Sequence, residues 1–107
     1  SASKDFYEKL GFTKFHGDEA QKWVILQNGE TNIGLFEGMF PQNMLTFNPG
    51  WDQNAQNIDA FEDVRDIQKS LQDAGLALDA TAEDGEGPAS IVLTDPDGNP
   101  VLIDQHR

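Results

Sequence analysis

The 107-residue chain contains no cysteine. That excludes disulfides, zinc–thiolate centres and thiol nucleophiles, and is neutral about compartment. Basic residues are scarce: 7 Lys and Arg stand against 19 Asp and Glu, a formal net charge of −12. Phosphate recognition needs clustered cations, so this balance argues against nucleic-acid binding. No apolar run approaches the roughly 18 residues of a membrane span, and no signal peptide is visible, which gives a cytoplasmic expectation. The first residue is Ser rather than Met, so the chain is read as trimmed or as opening on a tag remnant. There is no nucleophile elbow, and "DGEGP" lacks the Lys and the following helix of a phosphate loop.

What is present suffices for one domain over residues 1–107, with 37% hydrophobic residues that include seven Phe, two Trp and one Tyr. The charge is uneven. Residues 52–86 hold ten acidic and two basic side chains, a net of −8, and the segments on either side contribute −2 each. A solvated acidic surface accounts for this, and a rim that attracts cationic ligands is the sharper reading.

Local patterns divide the chain into short elements. Ser1 to Leu10 reads as a helix with Phe6, Tyr7 and Leu10 on one face, Ser1 or Ser3 as its cap and Gly11 as its stop. Strands are predicted at Phe12–His16, Trp23–Leu26 and Ile33–Phe36, with Asn28-Gly29 as the hairpin turn. Met44–Phe47 is a further strand and "NPGWDQNAQN" a loop. A second helix is expected from a capping box of Asp59 and Glu62, with the stripe Phe61, Val64, Ile67, Leu71 and Ala74 and a stop at Gly75. Strands at Leu76–Ala80, Ala89–Thr94 and Val101–Gln105 close the chain.

Helix, glycine and strand thus occur twice, with stops at Gly11 and Gly75, 64 residues apart. The second copy reads strand, helix, three strands, from residue 44 to 107. The first, residues 1–38, has the helix and three strands without the leading strand, so the chain is read as a fragment or as an incomplete sheet.

Candidate chemistry is sparse. Asp95, Asp97 and Asn99 match the first ligands of an EF-hand loop, but Pro100 and His106 stand where its Gly and final Glu belong. Asp95-Pro96-Asp97-Gly98 fits a type I turn instead. His16 and His106 have no second ligand at helical spacing and read as surface or strand-edge residues. Asp104 interrupts an apolar strand, facing either solvent or a pocket. Trp51, in a polar loop, covers either the domain's own core or a ligand site.

"SASKDFYEKLGF" resembles the opening helix of the vicinal oxygen chelate superfamily, the glyoxalase, bleomycin resistance and extradiol dioxygenase group. Ser3, Phe6, Tyr7, Leu10, Gly11 and Phe12 carry the match, and "DPDGNPVLI" resembles the family's closing hairpin. The resemblance implies an α+β fold of paired βαβββ modules whose curved sheets surround a cavity. It identifies the element missing from the first module as that module's first strand. Metal-using members draw four ligands from the first and last strands of each module. Carried over, three of these positions fall on Gly34, Met44 and Leu102, and the fourth on the absent strand. None of the three residues offers an oxygen or imidazole donor.

The expected function is therefore small-molecule binding without the family's divalent metal. Gly34, Phe36, Met44, Thr46, Trp51, Leu102 and Asp104 would form the wall, with Asp104 or Asn48 orienting an apolar, aromatic or cationic ligand. No catalytic residue is assigned. Family members often dimerise, so a homodimer is expected. The competing readings are a metal-dependent lyase, isomerase or dioxygenase using residues such as Asp104 and His16, and an interaction module whose open sheet edge takes a strand from another chain.

Overall fold

A computed structural model describes residues 2–107. The chain divides into two compact units, residues 1–42 and 43–107. The elements are α1 (Ala2–Lys9), β1 (Thr13–Asp18), β2 (Trp23–Asn28), β3 (Thr31–Phe36), β4 (Leu45–Phe47), α2 (Val64–Asp73), β5 (Ala89–Thr94) and β6 (Pro100–Gln105), with a 3₁₀ turn at Glu19–Gln21.

In the first unit β1, β2 and β3 form an antiparallel sheet in that order. A bulge at Phe15 shifts the register of β1 between Lys14 and His16. Val24 and Leu26 are buried and pair with Leu35 and Ile33, so alternation puts these four side chains on one face. The other face carries Trp23, Ile25, Gly34 and Phe36. The hairpin loop is Gly29–Glu30, because Asn28 pairs with Thr31 as the last residue of β2. The expected turn is thus one residue off. Of the two expected caps of α1, Ser1 lies outside the described residues and Ser3 falls inside the helix.

In the second unit the sheet order is β4-β6-β5. β4 runs parallel to β6, which a crossover through α2 permits, and β5 pairs with β6 as an antiparallel hairpin. The odd-numbered residues of β6 and β5 face the helix. Ile91 and Val64 are fully buried, and removing an aliphatic side chain of this size from water is worth about 2 kcal/mol.

Both helices end in the same way. The Phe12 N–H donates to Tyr7 C=O (3.2 Å) and the Gly11 N–H to Glu8 C=O (3.1 Å). The Leu76 N–H donates to Leu71 C=O and the Gly75 N–H to Gln72 C=O, both at 3.0 Å. This is the Schellman arrangement, and it needs the positive φ that Gly11 (105°) and Gly75 (89°) adopt.

Three expectations are corrected here. The second helix starts at Val64, capped by Asp63, whose carboxylate accepts from the Arg65 N–H at 2.9 Å. Asp59 and Glu62 do not cap it, and Phe61 lies outside it. Leu76–Ala80 is not a strand: it pairs with the sheet only through an isolated bridge from Ala80 to Val92, beside which the Asp79 N–H donates to Val92 C=O at 2.7 Å and Thr94 Oγ1 donates to Asp79 Oδ2 at 2.6 Å. The physical reason for the shifted start is Gln105. Its side chain is 1% exposed, and its Oε1 accepts the Val64 N–H at 2.7 Å. Its Nε2 donates to Asp63 Oδ2 (3.1 Å), Gly87 C=O (3.1 Å) and Arg107 C=O (2.9 Å). The first helical N–H, which no turn of helix can satisfy, is thus met from the neighbouring strand.

The Asp63 carboxyl is held below its ordinary value of 3.8, mainly by the Arg65 N–H and then by the Gln105 amide, against the opposing effect of burial. Its folded value is depressed, so its stabilisation is present above the unfolded value and is lost as pH falls through the folded one. In acid titrations of the unfolding midpoint, Asp63→Asn should therefore be less stable than the parent at pH 7 and converge on it as pH falls through the depressed folded value. Replacing Gln105 by Leu leaves the Val64 N–H without an acceptor, and urea denaturation at pH 7 is expected to show a loss of about 3 kcal/mol.

Candidate functional site

The even-numbered residues of β6 point away from α2. Thr46 pairs with Leu102; Ser90 pairs with Asp104 and Val92 with Leu102. Thr46, Leu102, Val92, Asp104 and Ser90 therefore share one sheet face, and His106 continues it just past the strand end. At that end an open depression of about 440 Å³ is lined by Trp51, Pro88, Ala89, Ser90, Asp104, Gln105 and His106. His106 Nε2 lies 2.8 Å from Asp104 Oδ2, with both side chains part-exposed. The His106 ring meets Trp51 edge to face at 4.6 Å between centroids.

Trp51 is set in place by a loop folded back on itself. Asn48 Oδ1 accepts the Gly50 N–H at 3.1 Å, and the Ile58 N–H donates to Gly50 C=O at 3.1 Å. The Trp51 indole N–H donates to Asn57 Oδ1 at 2.9 Å, and Asp52 Oδ1 accepts from the Asn54 and Gln56 N–H groups. The indole's polar edge is thereby satisfied and its ring faces are left for contact.

The site residues named from sequence are distributed as follows. Trp51 and Asp104 meet in the depression. Leu102 and Thr46 lie further along the same face. Asn48 is committed to the Trp51 loop. Met44 lines a second depression of about 230 Å³ with Asn43, Leu45 and Asn99. Gly34 and Phe36 belong to the first unit. Helical ligand spacing does not reveal the partner of His106; on a strand a partner two residues away shares its face. Pro88 and Ser90 carry no sequence signal, since strand pairing alone brings them to this place.

In the first unit, Phe36 lies over Gly34: a Cβ on Gly34 would sit 2.7 Å from the Phe36 ring. The Phe36 ring is parallel to that of Trp23 (7°, 6.4 Å between centroids) and meets Phe40 edge on at 5.3 Å. The His16 ring meets Trp23 at 5.4 Å.

In the Asp95–Asn99 turn both carboxylate oxygens of Asp95 are engaged. Asp95 Oδ1 accepts from the Asp97 and Asn99 N–H groups at 2.9 and 2.8 Å, and Oδ2 from Asn99 Nδ2 at 3.0 Å. The Gly98 N–H closes the type I turn on Asp95 C=O at 3.0 Å. These donors, the Asn99 backbone N–H foremost, hold the Asp95 carboxyl below its ordinary value.

A family model of the Glyoxalase/Bleomycin resistance protein/Dioxygenase superfamily matches residues 1–103. The chain belongs to this superfamily. No curated protein matches it. Among solved structures, the virulence protein STM3117 from Salmonella typhimurium is similar, with 23% identity, coverage of 95% of this chain and 83% of that one, and a TM-score of 0.42.

Two of the superfamily's metal-ligand positions, as placed by the resemblance, can be inspected directly on the sheets. Gly34 has no donor and its space is taken by the Phe36 ring. Leu102 presents hydrocarbon from the sheet face. These residues do not fit a divalent ion. Among the described residues, no group of three or more His, Asp or Glu side chains is arranged to hold one. Likewise, no helix there is long and apolar enough to cross a membrane.

The His106–Trp51 contact has a direct signature. The indole ring current should displace the His106 ring-proton resonances in the NMR spectrum, and Trp51→Ala should return them to ordinary positions. Unshifted resonances in the parent protein would rule out this geometry.

Proposed function

We propose that the chain binds a small organic molecule and does so without the divalent metal of its superfamily. The observation that carries this reading is the filling of Gly34's space by the Phe36 ring, at a position where the family resemblance calls for a metal ligand. Leu102 supports it from the second unit. The ligand is placed in the depression beside Trp51, with the indole as an apolar wall and Asp104 and Ser90 as polar groups that orient it. The net charge of −12 favours a cationic ligand, and the Trp51 ring favours a flat one. The protein acts in the cytoplasm as a homodimer in this reading. Leu45 and Phe47, 57% and 54% exposed on edge strand β4, supply apolar surface for a second copy.

A metal-dependent lyase, isomerase or dioxygenase is the second reading. It is favoured by the Asp104–His106 pair, a carboxylate and an imidazole on one strand face. Elemental analysis of the purified protein separates the two, because one tightly held divalent ion per chain overturns the metal-free reading. In the same preparation, a planar aromatic cation such as an acridinium dye should quench Trp fluorescence saturably. Asp104→Asn should weaken that binding about tenfold, the worth of one charge-assisted contact. Light scattering should give twice the 11.8 kDa chain mass, and a monomer counts against the dimer.

A further inference from the structure

We infer that Arg107 is the positioning residue that holds the Trp51 wall against His106, although Arg107 does not itself line the depression. The inference concerns the site proposed above and rests on that reading only for its bearing on ligand affinity. Arg107 makes three contacts at and just beyond the base of the Trp51 loop. Its Nη1 donates to Ile58 C=O. Its guanidinium carbon lies 4.7 Å from the centre of the Phe61 ring. Its aliphatic stem crosses Gly50, where a Cβ would come within 2.6 Å of Cγ and 2.8 Å of Cδ. Gly50 is buried and directly precedes Trp51. Because the Ile58 N–H bonds to Gly50 C=O, one side chain grips both limbs of the loop at its base.

The other end of Arg107 is fixed too, since its carbonyl accepts from Gln105 Nε2 at 2.9 Å. The loop is therefore coupled to the buried amide that anchors α2 and β6. Within the loop, Trp51 bonds to Asn57 and Asp52 bonds to Asn54 and Gln56, so the loop moves as a piece rather than unravelling. Loss of the grip at Gly50 and Ile58 would let that piece swing and carry the indole off His106. Lysine cannot replace arginine here. It keeps the stem and the charge but lacks the planar fork that donates to a carbonyl while stacking on an aromatic ring.

The test uses the full chain in a Trp23→Phe background, so that Trp51 is the one tryptophan and is excited selectively, at wavelengths beyond tyrosine absorption, and needs no ligand. R107A is expected to raise acrylamide quenching of Trp51 about twofold, as a loosened segment does. It should also abolish the ring-current shift of the His106 ring protons, with far-ultraviolet circular dichroism unchanged. R107K should lie between R107A and the parent, a spectroscopic signature that a simple loss of stability would not give. Unchanged quenching and an unchanged His106 shift in folded R107A overturn the inference. If R107A does not fold, R107K decides alone: raised quenching supports the grip and parental quenching refutes it. A Trp51 that loosens in a protein that never binds the acridinium dye would leave the grip standing and remove the ligand reading. Binding that persists with an unaltered Trp51 would do the reverse.

Discussion

The second unit depends on the buried amide of Gln105. A helix that begins against a sheet brings unsatisfied N–H groups into a place water does not reach, and an unmet donor there costs about 1–3 kcal/mol. Gln105 meets the first of them, Val64, with its oxygen and spends its nitrogen on Asp63, Gly87 and Arg107. One side chain therefore sets where α2 starts, where the 82–88 loop passes and where the chain's last residues lie. Arg65 reinforces the same junction by donating to Glu83 and Gly87 carbonyls as well as to Asp63.

Strand β6 separates two tasks by alternation. Val101, Ile103 and Gln105 belong to the packed face, and Leu102, Asp104 and His106 to the other. The period of two that buries Gln105 also presents Asp104 and His106. A one-residue slip of β6 against β5 would bury a carboxylate and an imidazole and expose the amide. The tight Asp95–Asn99 turn, closed by five hydrogen bonds to Asp95 and Asn99 groups, opposes such a slip. The Asp-rich turn thereby acts on the site by holding register, with the Asp95 carboxylate engaged by N–H donors of the turn itself.

Superfamily membership and the chemistry of individual positions give different information. Membership follows from a match along nearly the whole chain. Gly34 and Leu102, the positions to which the resemblance carries two of the family's ligands, nonetheless offer no oxygen or nitrogen side-chain donor. At Gly34 the Phe36 ring occupies the space a Cβ would fill. A fold can retain its sheets and change what they hold.

Much of the fold was legible from residues alone. Gly11 and Gly75 marked the helix ends because few other residues adopt the φ a Schellman stop requires. Asp95-Pro96-Asp97-Gly98 marked the last turn, and β-branched runs marked β5 and β6. These are local effects, decided within a few residues. The start of α2 was not legible. Asp59, Glu62 and Asp63 all have side chains that can cap, and only the distant Gln105 selects Val64 as the first helical residue. Leu76–Ala80 has strand composition but makes a single bridge, since pairing depends on a neighbour and not on composition. Trp51 and Asp104 were visible as residues out of place, one aromatic in a polar loop and one charged in an apolar strand. Their meeting at His106, and the hold of Arg107 on Gly50 and Ile58, were not. The sequence by itself determined the stops, the turns and the alternating faces, which depend on backbone sterics and near neighbours. Only the tertiary structure decided which of those faces' side chains converge, because that depends on contacts between residues about 50 positions apart, such as Arg107 with Ile58, which no local pattern encodes.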